Sequence, residues 1–273
     1  MKNASVKSHS TPACSIDVHP LLTAYIKDIQ IIRSNSSQLI APYKVYPSLF
    51  IVMGFQYRGR LNVLTDEGKM HLLKSCGITG LLKTYRMFQT ATAEIISILF
   101  KFYPWTISTL FNISANELTQ QSLGLEDILR VKIIDNLQEK IQTAPNPYCA
   151  SNIIQEFLVN LHLAQNKKIA SQQRIVMVAQ QLAKHPVIDS IEKLACHYGY
   201  SIRSLERHFQ EMIGLSPKRF VSTARFQKVL HLLQANIAWE EIAKSFDYYD
   251  QAHFIKDFKQ FSGITPHQLI HSP

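Results

Sequence analysis

Apolar positions change their period along the chain. From about Tyr43 to Phe111 they come in short runs between turn residues. Leu49–Phe55 (Leu-Phe-Ile-Val-Met-Gly-Phe), Arg60–Thr65 and Ile95–Phe100 are such runs, and Gly54, Gly59, Asp66-Glu67-Gly68, Gly77 and Gly80 punctuate them. β-Branched and aromatic residues dominate the runs, which predicts short strands. Regular turn signals between short strands point to an antiparallel sandwich or barrel. After about Ser114 the period becomes helical. Glu126–Ile141 places Leu129, Ile133, Leu137 and Ile141 four apart, on one face of a helix. Asn146-Pro147 interrupts the pattern. It resumes over Ser151–Leu163 with Ile154, Phe157, Leu158 and Leu161 on one face. Gln165–Ser171 is a polar junction, and beyond it the chain reads as short helices.

Those short helices are written twice. Ile191–Tyr200 overlays Trp239–Tyr248 at an offset of 48, matching Glu192 with Glu240, Ala195 with Ala243 and Tyr200 with Tyr248. One extra residue, Tyr249, moves the offset to 49. Leu205 then meets Phe254, Phe209 meets Phe258, Arg207 meets Lys256, Gly214 meets Gly263 and Pro217 meets Pro266. Each copy parses as helix, tight turn, helix, stop. Gly199 and Asp247 stand at the turns, where a left-handed backbone suits Gly and is tolerated by Asp. Ser201 and Asp250 are apt N-caps, and Gly214 and Gly263 apt C-terminal stops. Ser216-Pro217 and Thr265-Pro266 put Pro at a first helical position. A small Ala in mid-helix permits close approach of the second helix. This is a duplicated helix-turn-helix, with a long helix over Pro217–Gln234 between the copies.

Four segments follow: a mobile N-terminus (1–15), a β-rich domain (16–120), a helical connector (121–167) and an all-α tandem helix-turn-helix domain (168–273). The fold class is α+β multidomain, the N-terminal part being a sandwich or cupin-like.

With Leu205 and Phe209 turned inward, Arg203, Ser204, Glu206 and Arg207 face outward from the first copy. With Phe254 and Phe258 inward, Gln251, Ala252, His253 and Lys256 face outward from the second. Arg reads guanine O6/N7, Glu accepts from cytosine N4, Gln suits adenine and Ala meets a thymine methyl. Ser201, Lys218 and Arg219 are candidate phosphate anchors, which set register rather than sequence. Two recognition helices held by a rigid linker would enter major-groove segments about 34 Å apart. The bland alternative for each side chain is a solvated helix face.

The strings Ser190-Ile-Glu-Lys-Leu-Ala, Tyr200-Ser-Ile-Arg-Ser-Leu-Glu-Arg-His-Phe209, Gly214-Leu-Ser-Pro-Lys-Arg-Phe220 and Tyr248-Tyr-Asp-Gln-Ala-His-Phe-Ile-Lys-Asp-Phe-Lys-Gln-Phe-Ser-Gly-Ile-Thr-Pro266 resemble the C-terminal domain of the AraC/XylS transcriptional regulators. The resemblance covers about 170–270 and departs at Asp247, where the family pattern usually has Gly. It implies a bacterial regulator that binds double-stranded DNA through the outward residues named above. Further partners it allows are RNA polymerase, a small effector and a second copy of the chain. The N-terminal part resembles, more weakly, the β-rich domains that precede such modules.

Composition bounds the rest. The chain has 273 residues, with 29 Lys and Arg against 20 Asp and Glu, for a net charge of +9. That balance favours a polyanionic partner but does not locate it. Residues 1–167 hold 16 basic and 11 acidic residues, and 168–273 hold 13 and 9, so the excess is spread over both halves. No run approaches the roughly 18 apolar residues of a membrane span, and no secretory signal opens the sequence, so the expected location is cytoplasmic. Cys14, Cys76, Cys149 and Cys196 are scattered, which suits reduced thiols. An enzyme would have to use the N-terminal part, where His9, His19, His71 and His162 show no ligand spacing, so no metal or cofactor is expected. Behind the regulator reading stand a non-specific or architectural DNA binder and, further back, an enzyme with a cupin-like domain. Phe50, Phe55, Tyr57 and Phe100 are either the lining of an effector pocket or plain sandwich core. The connector stripe is either a dimer seam or packing against the chain's own sheet.

Overall fold

The computed structural model describes residues 14–35, 42–64, 68–164, 170–246, 248 and 250–271. Residues 1–13 of the tail expected to be mobile at 1–15, most of the polar junction at 165–171, and Asp247 and Tyr249 fall outside these, whereas Cys14 and Ser15 are not a mobile tail but pair with β2 in the larger sheet.

Among the described residues ten strands form two antiparallel sheets: β1 (Cys14–Ile16), β2 (Ile26–Asn35), β3 (Tyr43–Val45), β4 (Ile51–Arg58), β5 (Leu61–Leu64), β6 (Met70–Leu72), β7 (Cys76–Thr79), β8 (Arg86–Thr90), β9 (Glu94–Phe102) and β10 (Ser122–Gly124). The larger sheet runs β1-β2-β9-β4-β7-β10, the smaller β3-β8-β5-β6. The predicted runs at 49–55, 60–65 and 95–100 are β4, β5 and β9. Register sets the core: Met53 lies opposite Phe100 and Phe55 opposite Ile98, while on the other side Ile29 faces Phe100 and Ile31 faces Ile98. All six are buried. Phe55 and Phe100 meet edge to face at 5.8 Å, so these two aromatics belong to the sandwich core.

Strand β2 is longer than any predicted strand and starts well before Tyr43. A bulge between Ile26 and Asp28 breaks its alternation, so its buried residues are Ile26, Ile29 and Ile31. That spacing disguises a strand, whose side chains normally alternate with a period of two.

Nine helices complete the described chain: α1 (Val131–Thr143), α2 (Pro147–Ala164), α3 (Ala170–Lys184), α4 (Ile191–His197), α5 (Ile202–Ile213), α6 (Pro217–Gln234), α7 (Trp239–Ser245), α8 (Gln251–Ser262) and α9 (Pro266–His271). Single helical turns at Ile107–Phe111 and Ala115–Leu118 precede β10. Helix α1 corrects the expected stripe. It begins at Val131, and its inward residues are Ile134, Leu137 and Ile141, three and four apart, as a 3.6-residue period requires. Ile133 is 42% exposed, and Leu129 precedes the helix. The break expected at Asn146-Pro147 is present: α1 ends at Thr143, and Pro147 is the first residue of α2, where its missing N–H costs nothing. Asn146 Oδ1 accepts from the Tyr148 and Cys149 amides and starts the helix. The Tyr57 hydroxyl donates to Ala144 O at 2.8 Å and ties β4 to the end of α1.

One continuous core runs from the larger sheet through α1 and α2 into α3, α4 and α5, ending at Phe220 and Val221 of α6. A second core, from Phe226 to Leu269, belongs to α6, α7, α8 and α9. Helix α6 enters both.

Candidate nucleic-acid interface

The two copies fold alike because the same residue types recur at the same places. In the first, Ser190 Oγ accepts from the Lys193 amide and caps α4. Ala195 is buried in α4, and Gly199 turns the chain at φ +71°. Ser201 Oγ accepts from the Ser204 amide at 3.2 Å and starts α5. Leu205, Phe209, Met212 and Ile213 face the core, and Gly214 closes the helix at φ +91°. In the second copy Asp250 Oδ1 accepts from the His253 amide at 2.7 Å. Phe254, Phe258, Phe261 and Ser262 face inward, and Gly263 closes α8 at φ +70°. The offset of 49 therefore holds for cap, inward face and stop. Pro217 opens α6, with Ser216 Oγ accepting from the Arg219 amide.

Tyr248 reinforces the second copy. Its hydroxyl donates to Asp257 Oδ2 at 2.9 Å, and the Arg225 guanidinium lies 5.4 Å from its ring centre. Burial, with the Asp257 carboxylate beside it, raises the phenol well above its ordinary pKa, so it stays a donor.

The inward stripes leave the opposite faces to solvent. Arg203, Glu206 and Arg207 are exposed on α5, and Gln251, Ala252, His253 and Lys256 on α8. Ser204 is half-buried beneath the first row. Arg207 lies 3.9 Å from Glu211 and within 3.3 Å of His208 Nε2, while His208 Nδ1 lies 3.3 Å from Glu211. An exposed pair one helical turn apart contributes about 0.3–0.5 kcal/mol. A bidentate contact to guanine gives about 1–3 kcal/mol of discrimination, so Glu211 does not hold Arg207 against a base. Gln210 and Glu211 are additions to the outward set. They lie three and four residues beyond Arg207, a spacing that was visible in the sequence.

Ser201 and Lys218 are exposed at the first turns of α5 and α6, although the Ser201 hydroxyl is engaged as a cap. Arg219 is placed differently. Its guanidinium donates to Lys83 O and covers the Phe261 ring at 4.2 Å, and burial lowers its pKa against the opposing pull of Asp257. It lies at the junction with the β-rich domain, not on the outward face.

That junction reaches the recognition face. Arg203, Glu206, Arg207, Gln210 and Glu211 share an open cleft of about 340 Å³ with Ser114 and Asn116. Nothing in the sequence pattern announced this neighbour, because it joins residues about 90 positions apart. Among the described helices none is long and apolar enough to cross a membrane.

Two capped, outward-facing second helices joined by one long helix define a tandem helix-turn-helix module. Comparison with known proteins agrees: residues 194–272 match the family model described as a helix-turn-helix domain. The C-terminal part of the chain is thus a helix-turn-helix domain. Over 125 residues the chain is 30% identical to an HTH-type transcriptional regulator of Haemophilus influenzae, covering 44% of this chain and 40% of that one. It is 30% identical over 95 residues to the HTH-type transcriptional regulator GbdR of Pseudomonas aeruginosa, covering 34% and 25%. It is 31% identical over 81 residues to the HTH-type transcriptional activator RhaS of Escherichia fergusonii, covering 29% and 29%. The chain thus spans less than half the length of these curated relatives. Among solved structures, ToxT from Vibrio cholerae aligns over 91% of this chain and 97% of its own, at 10% identity and a TM-score of 0.46.

Proposed function

We propose that this protein is a sequence-specific transcriptional regulator that binds double-stranded DNA, laying α5 and α8 in two successive major-groove segments. The observation that carries the reading is the exposed row on each N-capped second helix. Arg203, Glu206 and Arg207 on one, and Gln251, His253 and Lys256 on the other, are free to meet base edges while their helix-mates lock into core. Ser204 and Ala252 lie in the same rows, and Ser201 and Lys218 flank them as phosphate anchors. The relatives over this domain are named as regulators, which supports regulation rather than catalysis as the role of the chain. In this reading the β-rich domain senses a small effector, pairs subunits or does both, RNA polymerase is a further partner, and the protein works in the cytoplasm.

The test is fluorescence anisotropy on genomic fragments selected by the purified protein. Log affinity should fall steeply with log salt, as neutralised phosphates release counterions. Random duplex should compete at least roughly 10³-fold more weakly than the selected site. Arg207→Ala should weaken specific binding by about 1–3 kcal/mol. Equal competition by random duplex would favour the architectural reading, and a flat salt dependence would end both.

A further inference from the structure

The last carbonyls of a helix have no partner inside it. In α5 and α8 the β-rich domain supplies partners at matching places. At the end of α5, Glu211 O accepts from the hydroxyls of Ser108 (3.1 Å) and Ser114 (3.3 Å), and Gly214 O accepts from the Thr119 hydroxyl at 2.6 Å. At the end of α8, Phe261 O accepts from the Tyr85 amide at 2.9 Å and Ser262 O from Lys44 Nζ at 3.2 Å. The two stops themselves are covered. A Cβ on Gly214 would overlap Thr119 and Ala115, and one on Gly263 would overlap the Tyr85 ring. Gly214 and Gly263 are the repeat-equivalent residues, so one domain grips the same point of both recognition helices.

Among the described residues the two cores are joined through α6. Helix α6 gives Phe220 and Val221 to the first core and Phe226, Val229, Leu230 and Leu233 to the second. Bending or twisting of one helix moves α8 relative to α5. A second tie at the far ends turns the hinge into a triangle.

We propose that the β-rich domain is a two-point bracket: by holding the C-terminal stops Gly214 and Gly263 it fixes the angle and separation of α5 and α8, and with them the half-site spacing the protein accepts. The role in spacing rests on the DNA-binding reading above. The bracket itself does not.

The experiment uses the full chain with Tyr85→Pro, which removes the amide donor to Phe261 O as well as the ring, combined with Thr119→Val and Lys44→Met. Tyr85→Phe with Thr119→Ser, which keep the ring and the hydroxyl, is the control for the two positions. Spin labels at Glu206→Cys and Lys259→Cys, with Cys14, Cys149 and Cys196 replaced by Ser, report the distance between α5 and α8 without DNA. The parent and the control should give one narrow distribution, and the triple variant a broad one. An unchanged distribution overturns the bracket. On DNA, selection is made from duplexes with all half-site separations. The parent should reject a shift of about half a helical turn (roughly 5 base pairs) by about 5- to 150-fold. The triple variant should lose most of that rejection while its affinity for an isolated half-site stays unchanged. Retained rejection overturns the bracket's role in spacing. A distance distribution that broadens as expected, with no duplex selected by any form, supports the bracket and refutes the DNA reading.

Discussion

Replacing Gly263 by Ala tests the junction at its tightest point. Two costs are expected. The backbone stands at φ +70°, where an L-residue with a Cβ costs about 1–2 kcal/mol. The new methyl also overlaps the Tyr85 ring, and forcing an extra carbon into packed surroundings costs typically about 1–3 kcal/mol. Gly263→Ala should therefore destabilise by about 2–5 kcal/mol. Gly68 separates the terms, because it has φ +77° but no atom within 4 Å of its would-be Cβ. Gly68→Ala should cost only the backbone part. In a Tyr85→Ala background the overlap disappears, so the added cost of Gly263→Ala should fall to the Gly68→Ala value. Urea unfolding followed by tryptophan fluorescence measures this. Trp239 lies 6.3 Å from Phe254 in the second core, and Trp105 is buried in the first. If Gly263→Ala costs the same with and without the Tyr85 ring, the two domains do not meet as described.

Asp250→Ala removes the cap of α8 and should destabilise by about 1 kcal/mol, with faster amide exchange at His253, while Asp250→Asn retains most of the stability. Glu192, whose carboxylate accepts from the Ser190 hydroxyl at 2.6 Å, has its pKa lowered chiefly by that bond. Its stabilisation is present above the unfolded pKa and lost as pH falls through the lower folded one, and NMR titration of Ser190→Ala should show the pKa rising. Burial, with Glu126 nearby, pushes the Cys76 thiol up to about 12, whereas Cys196 is exposed. Thiol titration of the native protein at pH 8 should therefore label Cys196 quickly and Cys76 only on unfolding.

The repeat was legible because both copies solve the same local problems with the same residue types. Caps at Ser201 and Asp250, left-handed stops at Gly214 and Gly263, and aromatic anchors at 209, 254 and 258 are short-range devices, and a one-dimensional pattern displays them. The β-rich domain was legible only where strands alternate cleanly. Its longest strand, Ile26–Asn35, was hidden by a bulge, and the face of α1 was set by where that helix begins. Phe55, Phe100 and Tyr57 had two readings in sequence. Register decided for core in the first two, and a hydrogen bond to Ala144 O engages the third.

By itself the sequence determined the module and its outward rows, since a helical period of 3.6 sends Leu205 and Phe209 one way and Arg203 and Arg207 the other. Only the tertiary structure decided what surrounds them. Arg219 is drawn to Lys83 O and the Phe261 ring, Ser114 and Asn116 border the first recognition helix, and Thr119, Lys44 and Tyr85 meet the ends of both. These contacts join residues from about 40 to more than 210 positions apart. Chain closure over such distances leaves no period to read, and the paired groups are ordinary polar residues until folding sets them against helix ends that lack partners.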